Sequence, residues 1–245
     1  MKQTLPLIGL LLFIFVSFIS CASSTVRAEE YYALGVAYFD LERYDEAERW
    51  LNRAKFHRQT RNASEYYLGC IAYETGRYNQ ALQYFSRIIN RDGENITALR
   101  AAAYTSIKLN EFNKAEEYYQ RILDLVPEAH DAGYNYALVL AAMGRSEEAE
   151  QLLVQFNISD NAQALFLLAR IQRDMEKPEA ADAFSTSLLL EDNPLVRFEF
   201  AAFLADLGLA ERALEEYHRT LENPGLQEQK REEIRAAIEL LETNG

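Results

Sequence analysis

The chain has 245 residues, 49% of them hydrophobic, and a formal net charge of −13 from 38 acidic against 25 basic side chains. That apolar share excludes a disordered polymer and supplies material for a substantial core. An acidic surface of this size repels phosphate backbones, which excludes nucleic acid as a partner on electrostatic grounds.

The chain opens with Met1-Lys2-Gln3-Thr4, followed by an apolar run from Leu5 to Ile19 and then Ser20-Cys21-Ala22-Ser23-Ser24. A short positive region, an apolar core and a small residue before the cut predict a secretory signal over residues 1–20. The tetrapeptide Phe18-Ile19-Ser20-Cys21 resembles the lipobox of bacterial lipoproteins, with Phe18 where Leu is usual. The resemblance implies that Cys21 is lipidated and becomes the mature N-terminus, with residues 21–27 as a short tether to the membrane. Two other readings stand beside it: an uncleaved membrane anchor, and a signal cut elsewhere with Cys21 incidental. The apolar run is shorter than the roughly 20 residues of a membrane-spanning helix, which weighs against the first. Cys70 is the only other cysteine. A lipidated Cys21 leaves it no disulfide partner, so it is expected at the edge of the core.

Beyond the tether, two columns of small residues set a register. Ala47, Ala81, Ala115, Ala149, Ala181 and Ala213 recur at separations of 34, 34, 34, 32 and 32, and twelve residues before each stands Gly35, Gly69, Ala103, Ala137, Ala169 or Ala201. Small side chains where two helices cross let the axes come within about 8 to 10 Å. Turns fall between the columns at Thr75-Gly76-Arg77-Tyr78, Leu109-Asn110-Glu111-Phe112, Met143-Gly144-Arg145-Ser146 and Leu207-Gly208-Leu209-Ala210, where Gly and Asn suit a left-handed helix end. Apolar residues then return at helical spacing, as in Ala81, Phe85 and Ile88, so each period predicts one helical hairpin. The hairpins occupy 28–61, 62–95, 96–129, 130–161, 162–193 and 194–225.

The motifs Tyr31-x2-Leu34-Gly35-x2-Tyr38 with Ala47 and Leu51, Leu68-Gly69 with Ala81-x3-Phe85, and Ala115, Tyr119, Ile122 and Pro127 carry a family likeness. They resemble the tetratricopeptide repeat, whose period is about 34 residues. Ser185 after Ala181 and Thr220 after Ala213 depart from the pattern. The resemblance implies an all-α, TPR-type α-solenoid of about six hairpins. The remaining 226–245 place Ile234, Ala237, Ile238 and Leu241 on one helix face, as a terminal capping helix requires. A partner-binding amphipathic helix is the alternative.

No chemistry-bearing constellation stands out. His57, His130 and His218 lie in different repeats without ligand-spaced neighbours, and the paired carboxylates Glu116-Glu117, Glu147-Glu148, Glu215-Glu216 and Glu232-Glu233 fall on faces expected to be solvated. Neither a metal, a cofactor nor a catalytic residue is expected. Asn62-Ala63-Ser64, Asn95-Ile96-Thr97 and Asn157-Ile158-Ser159 match a glycosylation acceptor only formally in a bacterial lipoprotein.

The repeat resemblance implies that the fifth, ninth, twelfth and thirteenth positions of each unit line a concave groove. These include Tyr32, Phe39, Tyr66, Tyr73, Arg100, Tyr104, Lys108, Tyr134, Phe166, Arg170, Arg173 and Phe198. The aromatics serve either binding or packing between neighbours. Arg100, Lys108, Arg170 and Arg173 are unexpected in so acidic a chain, and point to an acidic or carboxylate-bearing partner segment. The expected function is a lipid-anchored scaffold that recruits another envelope protein or peptide during assembly of an outer-membrane, secretion or pilus complex. Its six-unit architecture resembles the pilotins of pilus systems. Ala22-Ser23 lacks the Asp of an inner-membrane retention signal, so the periplasmic face of the outer membrane is the expected location. The alternative is an accessory of an envelope transporter, holding a small apolar ligand.

Overall fold

The structure is a computed structural model that describes residues 26–156 and 158–244. The expected signal, Cys21 and Asn157 lie outside the described residues. Helix reaches back to residue 26, so two residues of the expected tether are helical. No helix of the described residues is long and apolar enough to cross a membrane.

The chain divides into two compact units that meet in sequence at Pro127 and Glu128. The first holds α1 (residues 26–40), α2 (Tyr44–Ala54), α3 (Arg61–Glu74), α4 (Tyr78–Arg91), α5 (Ile96–Lys108) and α6 (Phe112–Leu125). The second holds α7 (His130–Ala142), α8 (Ser146–Gln155), α9 (Ala162–Asp174), α10 (Ala180–Leu190), α11 (Pro194–Asp206), α12 (Ala210–Leu221) and α13 (Glu228–Asn244). The described elements are all helical, and within each unit consecutive helices pack as antiparallel hairpins.

All six hairpins turn in the same way. A residue at positive φ, namely Glu42, Gly76, Asn110, Gly144, Glu176 or Gly208, ends each first helix. In the second hairpin the Gly76 N–H donates to the Tyr73 carbonyl at 3.0 Å and the Arg77 N–H to the Ala72 carbonyl at 2.7 Å. The same pair of bonds closes the other five turns and satisfies carbonyls that the helix end would leave bare. Glu42 and Glu176 adopt this geometry without glycine's freedom, each at a φ of 57°. Left-handed backbone costs an L-residue about 1 to 2 kcal/mol, which the two carbonyl bonds and the packed hairpin offset.

The small-residue columns are the crossing points. Ala47, Ala81, Ala115, Ala149 and Ala213 are fully buried. A methyl group on Gly69 would stand 2.5 Å from the Phe85 ring, so the ring occupies the space that glycine vacates. Gly133 serves the ring of Phe156 likewise, at 2.4 Å.

The fifth hairpin departs from the expected register. Ala181 is half-buried, whereas Ala180 and Phe184 are fully buried and carry the small-x3-large pattern from which Ala181 and Ser185 depart. The cause lies in the turn. The N–H groups of Ala180, Ala181 and Asp182 each donate to the carbonyl three residues back, a tight start that advances the buried face by one residue. In the first hairpin, Ala47 instead bonds four residues back, to Arg43.

Side-chain caps start α5, α9 and α11, through Asn95, Asn161 and Asn193. The Asn95 side chain is thus engaged in capping, and Asn62 accepts from the Arg91 Nε at 2.9 Å. Helix α13 buries Ile234 and Ile238 while Glu239 and Leu240 face out. Arg231 donates to the carbonyls of Leu221 at 2.7 Å and Leu226 at 3.2 Å, which fastens α13 to the end of α12.

Candidate functional site

Four of the twelve expected groove residues meet in the first unit. Tyr66 and Tyr73 lie on one face of α3, two helical turns apart, and Arg100 and Tyr104 lie one turn apart on α5. Together with Cys70, Glu74, Phe85, Thr97 and Ala101 they line a cavity of about 430 Å³. Phe85, from α4, forms its buried floor and stacks at a tilt with Tyr66, centroids 5.8 Å apart. Tyr104 stands 37% exposed above Tyr119, which is fully buried.

The cavity is apolar in its walls and charged at its edges. Burial pushes the Tyr66 phenol up to about 12, with the neighbouring Cys70 adding to the effect. Burial likewise raises the Cys70 thiol to about 11, against a smaller lowering by its hydrogen bond with Tyr66. Tyr73 is raised by burial first and by Tyr78, Glu74 and Tyr104 after it. Arg100 supplies positive charge and Glu74 negative charge. Sequence spacing alone missed Cys70 and Glu74 as lining residues, although both follow Tyr66 at steps of four along α3.

The remaining residues of the first unit are placed differently. Tyr32 packs edge-on to Tyr67 at 6.0 Å, and Phe39 meets Tyr67 at 5.2 Å and Tyr44 at 5.9 Å. These rings serve packing between α1 and α3. Lys108 is exposed at the end of α5.

In the second unit the expected positive face is largely neutralised. Arg173 Nη1 lies 2.9 Å from Glu199 Oε2, and Arg170 Nε approaches the same oxygen at 3.5 Å. Arg173 also pairs with Asp174 at 2.9 Å. Burial lowers the Arg173 pKa, but Asp174 and Glu199 outweigh it and the net shift is upward. Arg170 covers the Phe166 ring at 5.8 Å. Phe198 lies beneath the Lys230 ammonium of α13 at 4.2 Å and beside Tyr217 at 5.9 Å. Tyr134 is half-buried, and burial raises its phenol against an opposing effect of Arg170. Arg170 and Arg173 therefore already face an internal carboxylate, Glu199 of α11, the first helix of the next hairpin.

A tetratricopeptide repeat profile matches residues 28–55, and a second matches residues 100–155. Overlapping both, the profile of the anaphase-promoting complex (cyclosome) subunit 3 matches residues 43–122. The chain is a tetratricopeptide repeat protein. No curated protein matches its sequence significantly. Among solved structures, this repeat protein is similar to a tetratricopeptide repeat protein from Parabacteroides merdae, at 20% identity and a TM-score of 0.66 over 79% of this chain and 78% of the other. It is also similar to MamA from Desulfovibrio magneticus, at 17% identity and a TM-score of 0.62 over 68% and 96%. A third likeness, to YrrB, described as a TPR protein with an unusual peptide-binding site, has 15% identity and a TM-score of 0.58 over 70% and 91%. At these identities the likeness is one of fold.

Proposed function

We infer that this tetratricopeptide protein is a membrane-anchored scaffold of the bacterial cell envelope. It holds a segment of a partner protein against α3 and α5 during assembly of an outer-membrane, secretion or pilus complex. The observation that carries the binding part is the cavity of about 430 Å³ walled by Tyr66, Tyr73 and Tyr104 with Arg100 at its edge. Aromatic walls give large, rigid contact area at low entropic cost, and a guanidinium favours a carboxylate on the incoming segment. The peptide-binding description of the similar YrrB structure supports the same class of ligand. The anchor rests on the likeness of residues 18–21 to a lipobox and on the apolar run before it.

The test is in-cell crosslinking and capture with the native chain and with a Tyr104→Ala, Arg100→Gln variant, whose fold is checked by circular dichroism. A single envelope protein recovered with the native chain and lost with the variant supports the reading. Equal recovery with both moves the working surface elsewhere. A cavity of this size also falls within the range of small-ligand pockets. Capture of no protein, together with a co-purified apolar compound in the mass spectrum, would favour the transporter-accessory alternative.

A further inference from the structure

The junction of the first two hairpins has a composition unlike the rest of the chain. Residues 49–61 hold Arg49, Arg53, Lys55, Arg58 and Arg61, and no carboxylate, in a protein whose net charge is −13. Phe56 stands 75% exposed in the connection between α2 and α3. Lys55 and the Arg87 guanidinium lie 5.9 and 5.5 Å from the Tyr84 ring, and Arg53 covers Trp50 at 4.9 Å. Among the described residues, Arg53, Lys55, Arg58, Arg61 and Arg87 have no carboxylate within ion-pair distance. The next such connection, Asp92-Gly93-Glu94, has the opposite charge.

The position of this patch matters as much as its charge. Tyr31 and Trp50 meet at 5.6 Å, which sets the end of α2 beside the start of α1. The patch therefore lies at the end of the hairpin from which the chain leads back, over a few residues of sequence, toward Cys21.

We propose that this edge is a docking surface for an anionic phospholipid bilayer, with Phe56 entering the headgroup and acyl boundary and the basic side chains meeting lipid phosphates. The proposal rests in part on the anchoring reading above. The lipid anchor that this reading implies holds this end of the chain near a bilayer, where a basic patch adds electrostatic attraction to anionic headgroups. One ring projecting from a short connection inserts into a fluid bilayer without a complementary pocket, which a protein partner would have to provide. Glu29 and Glu30 on α1 oppose the attraction locally. Carboxylates farther off are screened over a Debye length of about 8 Å at physiological salt.

Trp50 is the protein's single tryptophan and sits in the patch, so it reports contact directly. The full chain is mixed with vesicles of phosphatidylcholine alone and of equimolar phosphatidylcholine and phosphatidylglycerol, both with brominated acyl chains. Flotation scores attachment and Trp50 quenching scores contact of the edge with lipid. The expected result is quenching in the phosphatidylglycerol vesicles, lost in a Lys55→Glu, Arg58→Glu variant that melts like the native chain. A Trp50→Phe, Phe56→Trp variant, whose indole takes the projecting position, is expected to show the same lipid dependence more strongly. Flotation with both vesicles and no dependence of quenching on phosphatidylglycerol would overturn the docking surface while leaving the anchor standing, and would assign the basic edge to an acidic protein. Failure to float with either would overturn both. Flotation and quenching only with phosphatidylglycerol would support the surface and remove the anchor.

Discussion

The two units present the same repeat positions in different chemical states. In the first, Tyr66, Tyr73, Arg100 and Tyr104 surround a cavity of about 430 Å³. In the second, the corresponding face is occupied by its own side chains: Glu199 takes both Arg170 and Arg173, and Lys230 of α13 lies on Phe198. The repeat fixes which positions face one way, but not whether they are available. In the second unit a carboxylate on the first helix of the next hairpin, Glu199, turns Arg170 and Arg173 into internal ion pairs.

The comparison can be broken first at the cavity floor. Phe85→Ala removes a side chain that is 1% exposed and fills the space beside Gly69. It is expected to cost about 3 to 5 kcal/mol, seen in denaturant or thermal melts. A cost near zero would mean that the hairpin collapses around the lost ring and that the floor is not rigid.

The next effect is kinetic and pH-dependent. Burial holds the Cys70 thiol at about 11 against an ordinary 9.0, so near neutral pH its thiolate population is reduced about hundredfold. Iodoacetamide should label Cys70 slowly in the folded chain and quickly in urea. The sign of the linked stability follows: the contribution is full below pH 9 and is lost as pH rises through 11, because the unfolded thiol ionises first. Fast native labelling would show that the cavity wall opens.

In the second unit, Glu199→Ala removes the carboxylate shared by Arg170 and Arg173 and leaves Arg173 its pair with Asp174. The pairs are partly exposed, Arg170 to 49%, so the expected loss is only about 1 kcal/mol. The same variant should gain affinity for acidic peptides, because Arg170 loses its internal carboxylate. The smallest expected change is a gain. Glu176→Gly relieves a left-handed backbone at φ 57°, less the extra freedom of glycine in the unfolded chain. A rise in stability of about 0.5 to 1 kcal/mol is expected in a thermal melt.

Much of the fold was legible because the crossings demand small residues at a fixed spacing, and alanine or glycine at a buried crossing has few substitutes. The turns at Gly76, Asn110, Gly144 and Gly208 announced themselves for the same reason. Those at Glu42 and Glu176 did not, since their strain is offset by hydrogen bonds that only the folded hairpin forms. The one-residue advance to Ala180 was hidden because Ala180 and Ala181 are the same residue type, and only the tight start after Pro178 chooses between them. At the candidate site, the stripe of Tyr66 and Tyr73 on α3 was visible in the sequence. Glu199 as the partner of Arg170 and Arg173 was not, because pairing between neighbouring first helices depends on how the hairpins stack. The basic edge around Phe56 lies outside the expected groove positions, although the absence of carboxylates from residues 49–61 is plain in the sequence.

The most direct test places a benzophenone side chain in living cells at Tyr104 in one strain and at Arg170 in another, and compares the photo-crosslinked products. A discrete protein adduct is expected from position 104 and none from position 170. An adduct from position 170 alone would contradict this and return the working surface to the second unit.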